Sequence, residues 1–183
     1  MDIETKIEFK PDYKVWIEEL SLDGKTTIGF QQGVIIKKVR DKEWEVQALN
    51  NGVVNTYSET NLQLRHNNFS LYSDIMDLPV SNNAEIYNNL SNIYLSDKSY
   101  CFCGPSLVFI NPYRLISNEE SEETFEKARQ LFFDKKVDQI SPHIIAIAAK
   151  VIRQAIDTGK SQSVCISGES GSGKTENSKR CLS

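Results

Sequence analysis

Between residues 12 and 66 the apolar positions come in short runs with polar partners. Val34-Ile35-Ile36 leads to Val39, and Trp44, Val46 and Ala48 alternate with Glu45 and Gln47, the period of a half-buried strand. Asn50-Asn51-Gly52 follows, and an Asn-Gly pair supplies the positive φ angles of a tight hairpin. Residues 53–60 return as a strand, and 61–66 add one more. About five short strands without an intervening helix predict a small all-β barrel over residues 12–66. No row of aromatics marks a ligand groove on it.

The pattern changes after residue 80. Asn82-Asn83-Ala84-Glu85 has the form of a capping box, with Ile86, Leu90, Ile93 and Tyr94 as the apolar face of the helix that follows. Leu107-Val108-Phe109-Ile110 is a continuous apolar run that Asn111-Pro112 ends, which predicts a strand covered on both faces. A second helix is expected over 119–133, with Phe125, Ala128 and Phe132 inward. A third opens with Ser141 as N-cap and Pro142 at its first position. It keeps Ile144, Ile147, Ala148, Val151, Ile152, Ala155 and Ile156 on one face and stops at Gly159. Ser163-Val164-Cys165-Ile166-Ser167 reads as a short buried strand with Cys165 in the core. The change from strand to helix periodicity, with the loop-like His66-Asn67-Asn68, divides the chain into residues 12–66 and 67–183.

Composition narrows the function classes. Hydrophobic residues at 39% and charged residues at 25% exclude a wholly disordered or fibrous chain. A net charge of -4, from 21 Lys+Arg and 25 Asp+Glu, gives no broad cationic surface for nucleic acid. No apolar run spans a bilayer, and the start, Met-Asp-Ile-Glu-Thr-Lys, is neither a signal peptide nor a myristoylation site. Cys101, Cys103, Cys165 and Cys181 form no Cys-x-x-Cys pair, and His66 and His143 are isolated, so reduced cytosolic thiols are expected rather than a zinc site. The glycosylation-type triplets at Asn68 and Asn89 read as chance matches in an Asn-rich chain.

The chemistry sits at the end. Gly168-Glu169-Ser170-Gly171-Ser172-Gly173-Lys174-Thr175 fits G-x-x-x-x-G-K-[ST], the loop that cradles phosphates. Glycines at 168, 171 and 173 let the backbone curl so that successive N–H groups point inward. The following helix turns its positive end to the phosphates. Lys174 adds a mobile cation for the β- and γ-phosphates, and Thr175 offers a hydroxyl to Mg²⁺. Four fixed positions match by chance in on the order of one chain in a hundred, and the strand–loop–helix context sharpens the match.

Gly168 to Asn177, read as GESGSGKTEN, closely resembles the phosphate loop of myosin motor heads, usually GESGAGKTEN, with Ser172 in place of alanine. Lys98-Ser99-Tyr100 through Asn111-Pro112-Tyr113-Arg114 resembles the family's strand into Asn-Pro-Tyr-Lys. Ser141-Pro142-His143-Ile144 resembles its Pro-Pro-His-Ile, and Ser161-Gln162-Ser163 its Asn-Gln-Ser. Val15-Trp16 and the strand-rich start resemble the SH3-like subdomain that opens many myosin heads.

The resemblance implies a fold and a set of roles. The fold is an α/β P-loop NTPase, myosin head-like and truncated, preceded by a small SH3-like barrel. ATP and Mg²⁺ are the implied cofactors. Lys174 and Ser170 stand at the reacting phosphate, with Asn177 supporting the start of the loop helix. Gly168, Glu169, Ser170, Gly171, Ser172, Gly173, Lys174 and Thr175 form the cradle, with Thr175 on the metal. The carboxylates of Glu169 and Glu176 are left open between solvated and helix-start positions. Asn111, Pro112, Tyr113 and Arg114 would lie along the adenine. Arg114 replaces the usual lysine, and Ser117-Asn118-Glu119-Glu120 stands where an aromatic is expected, which implies weaker base stacking.

The family's two switch segments, Asn-x-Asn-Ser-Ser-Arg-Phe-Gly and Asp-x-x-Gly-Phe-Glu, do not occur in the 183 residues. Hydrolysis needs a second metal-shell carboxylate and a group that positions water. The expectation is therefore the N-terminal part of an actin-based motor, cytoplasmic and on the actin cytoskeleton. Actin filaments and light chains would be bound through other regions, and these residues alone would not turn over ATP. Two alternatives remain at this level: another P-loop NTPase or kinase, and a non-catalytic SH3-like module with a vestigial loop.

Overall fold

The computed structural model describes residues 8–66, 70–114 and 121–182. Residues 1–7, residues 67–69 with Asn68 and part of the expected inter-domain loop, and residues 115–120 with the expected helix start at Glu119 lie outside the described residues. The chain gathers into two compact units, one of residues up to 70 with 79–87, the other of 71–78 with 88 onward.

In the first unit, β1 (Lys14–Leu20), β2 (Thr27–Arg40), β3 (Glu43–Ala48), β4 (Val54–Ser58) and β5 (Leu62–Leu64) form one sheet. Its order is β4-β3-β2-β1-β5, with every neighbouring pair antiparallel. The alternation in β3 is real: Trp44, Val46 and Ala48 are buried and Gln47 is exposed. They join Phe9, Val15, Ile17, Ile35 and Leu62 in the core. The turn into β4 has Gly52 at φ 70°, and Asn51 Oδ1 accepts from the Val53 N–H at 3.0 Å. Bulges between Ile35 and Lys37 and between Lys38 and Arg40 interrupt the long β2, which bends it and raises its twist.

Trp16 breaks the alternation, since Val15, Trp16 and Ile17 are all buried. It faces the opposite side of the sheet from its neighbours, where Nε1 donates to Glu85 Oε1 at 2.9 Å. The same carboxylate oxygen accepts from the His66 N–H at 2.6 Å, and the Arg65 guanidinium lies 5.4 Å from the Trp16 ring centroid. The expected capping box is therefore half formed. Asn82 Oδ1 accepts from the Glu85 N–H at 2.8 Å, but the Glu85 carboxylate bonds to Trp16 and His66 instead of turning back.

Helix α1 spans Asn83–Leu95. Of its expected apolar face, Ile93 is buried, Ile86 and Leu90 are half-buried and Tyr94 is exposed. The buried line is instead Glu85, Asn89 and Ile93, spaced four residues apart on one face. Asn89 is accommodated because its side chain exchanges two bonds of 3.0 Å with the Tyr72 backbone. The Asn89 of the glycosylation-type triplet is thus buried within a helix.

β6 (Tyr100–Cys103) and β7 (Ser106–Phe109) form a two-stranded antiparallel hairpin. The run at 107–110 is half-buried rather than covered on both faces, because β6 is its only strand neighbour among the described residues. α2 (Glu122–Phe133) is capped by Ser121, whose side chain accepts from the Thr124 N–H. Ala128 is buried and Phe132 half-buried as expected, but Phe125 is exposed.

α3 (Ile144–Thr158) begins two residues later than the Ser141-Pro142 reading. His143 is its cap, with Nδ1 accepting from the Ile145 N–H at 3.2 Å. Gly159, at φ 63°, stops it. α2 and α3 bury Ala128, Ile140, Ala146 and Ala149, with Phe102 and Leu131 packed against them.

The expected buried strand at 163–167 is not formed. The segment is irregular, and Ser163, Val164, Cys165 and Ser167 are exposed. A strand exists only when its N–H and C=O groups meet a neighbour, and no described strand lies beside it. Cys165 is accordingly an exposed free thiol, while Cys101 is buried. Burial pushes the Cys101 thiol up to about 11. No described helix is long and apolar enough to cross a membrane.

Candidate phosphate-binding site

The loop at 168–173 leads directly into α4 (Lys174–Leu182). Its glycines at 168, 171 and 173 have φ values of 151°, 79° and 91°, a region that side chains disfavour. Two of them also lack room for a side chain. A Cβ on Gly168 would lie 2.6 Å from Ser172 Oγ, and one on Gly173 would lie 2.6 Å from Phe109 Cε1. The three glycines therefore permit a curl that other residues would strain.

Lys174 folds back over the curl. Its Nζ donates to the carbonyl oxygens of Gly168 at 2.8 Å and Glu169 at 2.7 Å, so the ammonium is held against the loop at the N-terminal end of α4. Ser172 N–H donates to Glu169 O at 3.2 Å and closes the turn. Ser170, Gly171 and Thr175 are exposed, as are Glu169 and Glu176. The Glu176 carboxylate pairs along the helix with Arg180 at 3.5 Å.

Two more segments hold the loop from outside. Asn111 Nδ2 donates to Gly171 O at 2.8 Å, while its Oδ1 accepts from the Tyr113 N–H at 3.0 Å. This side-chain turn carries Tyr113 at φ 50° with 82% of its surface exposed. Arg114 is ion-paired with Asp97. Asn177, 4% exposed, donates Nδ2 to Gly173 O at 3.1 Å and accepts at Oδ1 from the Tyr100 hydroxyl at 2.9 Å. An open cleft of about 510 Å³ lies against the loop, with Leu107, Phe109, Ile147, Val151 and Lys174 among its walls.

The structure thus brings Asn111 and Asn177 onto the loop of residues 168–175 and leaves Tyr113 beside it. Sequence reasoning missed Tyr100, Phe109 and His143 as supports. The Tyr100 ring packs on Phe109 at 5.0 Å between centroids and meets His143 edge-on at 4.7 Å. His143 is buried, and burial, with the nearby Arg180 charge, lowers its pKa to about 4. Its Nε2 has no hydrogen-bond partner among the described residues.

A family model described as Myosin head (motor domain) matches residues 72–183. The chain belongs to the myosin head family. It is 38% identical over 111 residues to the Myosin-M heavy chain of Dictyostelium discoideum, covering 61% of this chain and 6% of that protein. It is 36% identical over 111 residues to Myosin heavy chain 95F of Drosophila melanogaster, covering 61% and 8%. The match to Myosin type-2 heavy chain 1 of Schizosaccharomyces pombe is 34% over 114 residues, covering 62% and 7%. These alignments span less than a tenth of each myosin heavy chain. The myosin-head match begins at residue 72, so the five-stranded sheet lies outside it.

Proposed function

We propose that this chain supplies the phosphate-binding part of an actin-based myosin motor that hydrolyses Mg-ATP to move along actin filaments. The observation that carries the reading is the Lys174 ammonium held across the Gly168 and Glu169 carbonyls at the mouth of α4. A cation, a curl without side-chain room and a helix N-terminus converge there, a donor set suited to a polyphosphate.

ATP with Mg²⁺ fits these residues. Residues 168–175 would hold the phosphates, Ser170 and Lys174 would stand at the γ-phosphate, and the exposed Thr175 hydroxyl would take a place on the magnesium. When bound, the metal would neutralise charge on the phosphate oxygens. Asn111, Pro112 and Tyr113 are assigned to the base side, supported by the Asn111 bond to Gly171 O. Arg114 is assigned there too, although its partner in this structure is Asp97.

The domain reading is a P-loop NTPase part over 67–183 and an SH3-like subdomain over 12–66. The latter is supported by five antiparallel strands around one core. Light-chain binding, a cytoplasmic site and residence on the actin cytoskeleton follow from family membership as parts of the same proposal. The native protein, captured with an antibody to this chain, is expected to sediment with actin filaments and to leave them on addition of Mg-ATP. Sedimentation that is absent, or indifferent to Mg-ATP, contradicts the reading.

A further inference from the structure

We infer that Tyr100, a hairpin residue outside the phosphate loop, is a positioning residue that sets the aim of the Lys174 backbone N–H through Asn177. The inference rests on the proposed phosphate binding by residues 168–175.

Asn177 has both ends of its side-chain amide engaged. Nδ2 donates to Gly173 O at 3.1 Å, and Oδ1 accepts from Tyr100 OH at 2.9 Å. The Gly173 carbonyl also accepts the Asn177 backbone N–H at 3.0 Å, so two donors pull it along the axis of α4. In a trans peptide the C=O and the following N–H point in opposite directions. Fixing the Gly173 carbonyl into the helix therefore fixes the Lys174 N–H out of its N-terminal end, where the helix's unpaired donors lie.

Tyr100 in turn is clamped. It is 3% exposed, packs on Phe109 and His143, and has the Arg180 guanidinium 3.5 Å from its hydroxyl. Phe109 is its register partner in the hairpin and fills the space at Gly173. One strand pair thus holds the same peptide twice, through a hydrogen bond and through a steric wall. Without the hydroxyl, Asn177 gains rotational freedom, and the Gly173 carbonyl keeps its backbone donor but holds its side-chain donor less firmly.

Tyr100→Phe keeps the ring and removes only the hydroxyl. In the full-length protein it is expected to weaken Mg-ADP binding by roughly three- to tenfold, the worth of one hydrogen bond. Tyr100→Phe on an Asn177→Ala background is expected to add nothing, since the effect passes through Asn177. In the unaltered chain, adding pyrophosphate is expected to move the Lys174 amide NMR resonance downfield, a readout independent of any variant's folding. Unchanged affinity in Tyr100→Phe, additive losses in the double variant, or an unmoved Lys174 amide in a chain that binds pyrophosphate each overturn the inference alone. Failure of the unaltered chain to bind Mg-ADP or pyrophosphate overturns the phosphate reading, and the inference with it.

Discussion

Phe109 occupies the space that a side chain on residue 173 would need, 2.6 Å from where a Gly173 Cβ would stand. Gly173 also has φ 91°, so alanine there meets both a steric wall and an unfavourable backbone. Gly173→Ala is expected to cost about 1–3 kcal/mol of stability and to abolish measurable Mg-ADP binding. The double variant Gly173→Ala/Phe109→Ala relieves the wall but not the φ angle. Thermal unfolding should show it less destabilised than the sum of its two single variants.

Lys174→Ala removes two charge-assisted bonds within the loop and the cation proposed for the phosphates. A loss of roughly ten- to a hundredfold in Mg-ADP affinity is expected. The Lys174 side chain sits on exposed carbonyls rather than in a core, so far-ultraviolet circular dichroism should stay unchanged. A parallel loss of helical signal would mean that the lysine supports the fold instead.

His143 predicts a pH dependence with a definite sign. Its ordinary pKa of 6.5 is lowered to about 4 in the folded chain, by burial first and the Arg180 charge second. Between those values the unfolded chain binds more protons, so stability rises with pH. The contribution is complete above about pH 6.5 and is lost as pH falls toward 4, by on the order of 2 kcal/mol. Denaturant titrations across this range check it. His143→Asn, which keeps an N-cap acceptor, should flatten that part of the profile.

Glu85 joins Trp16, His66 and the start of α1 through one buried carboxylate. Glu85→Ala strands the Trp16 N–H, and a loss of about 2–3 kcal/mol is expected for the first unit. Trp16 fluorescence should report the loss as a lower denaturant midpoint. An unchanged midpoint would show that the pair contributes little.

Local signals were legible in the sequence. The alternation at Trp44, Val46 and Ala48, the Asn51-Gly52 turn and the Gly159 stop are each decided within a few residues, and the structure has them. The glycines at 168, 171 and 173 were equally readable as a curl, and each has a positive φ. Features decided by a distant partner were not. Residues 163–167 have strand composition, yet pairing is what makes a strand, and composition does not supply a neighbour. Glu85 and Asn89 are polar and so escaped the apolar-face rule, although specific partners bury them. Tyr100 and Asn177 are 77 residues apart, beyond the reach of any periodicity. His143 displaced Ser141 as the cap because its ring is buried beside Tyr100 and Phe125, which draws the helix start to it.

If the proposed function holds, residues 168–175 bind the phosphates of a magnesium nucleotide. Calorimetric titration of the full-length protein with Mg-ADP, alongside Lys174→Ala, decides this. Saturable binding at one nucleotide per chain is expected, competed by pyrophosphate and weakened roughly ten- to a hundredfold in Lys174→Ala. No binding by the unaltered chain, or equal binding by Lys174→Ala, would contradict it.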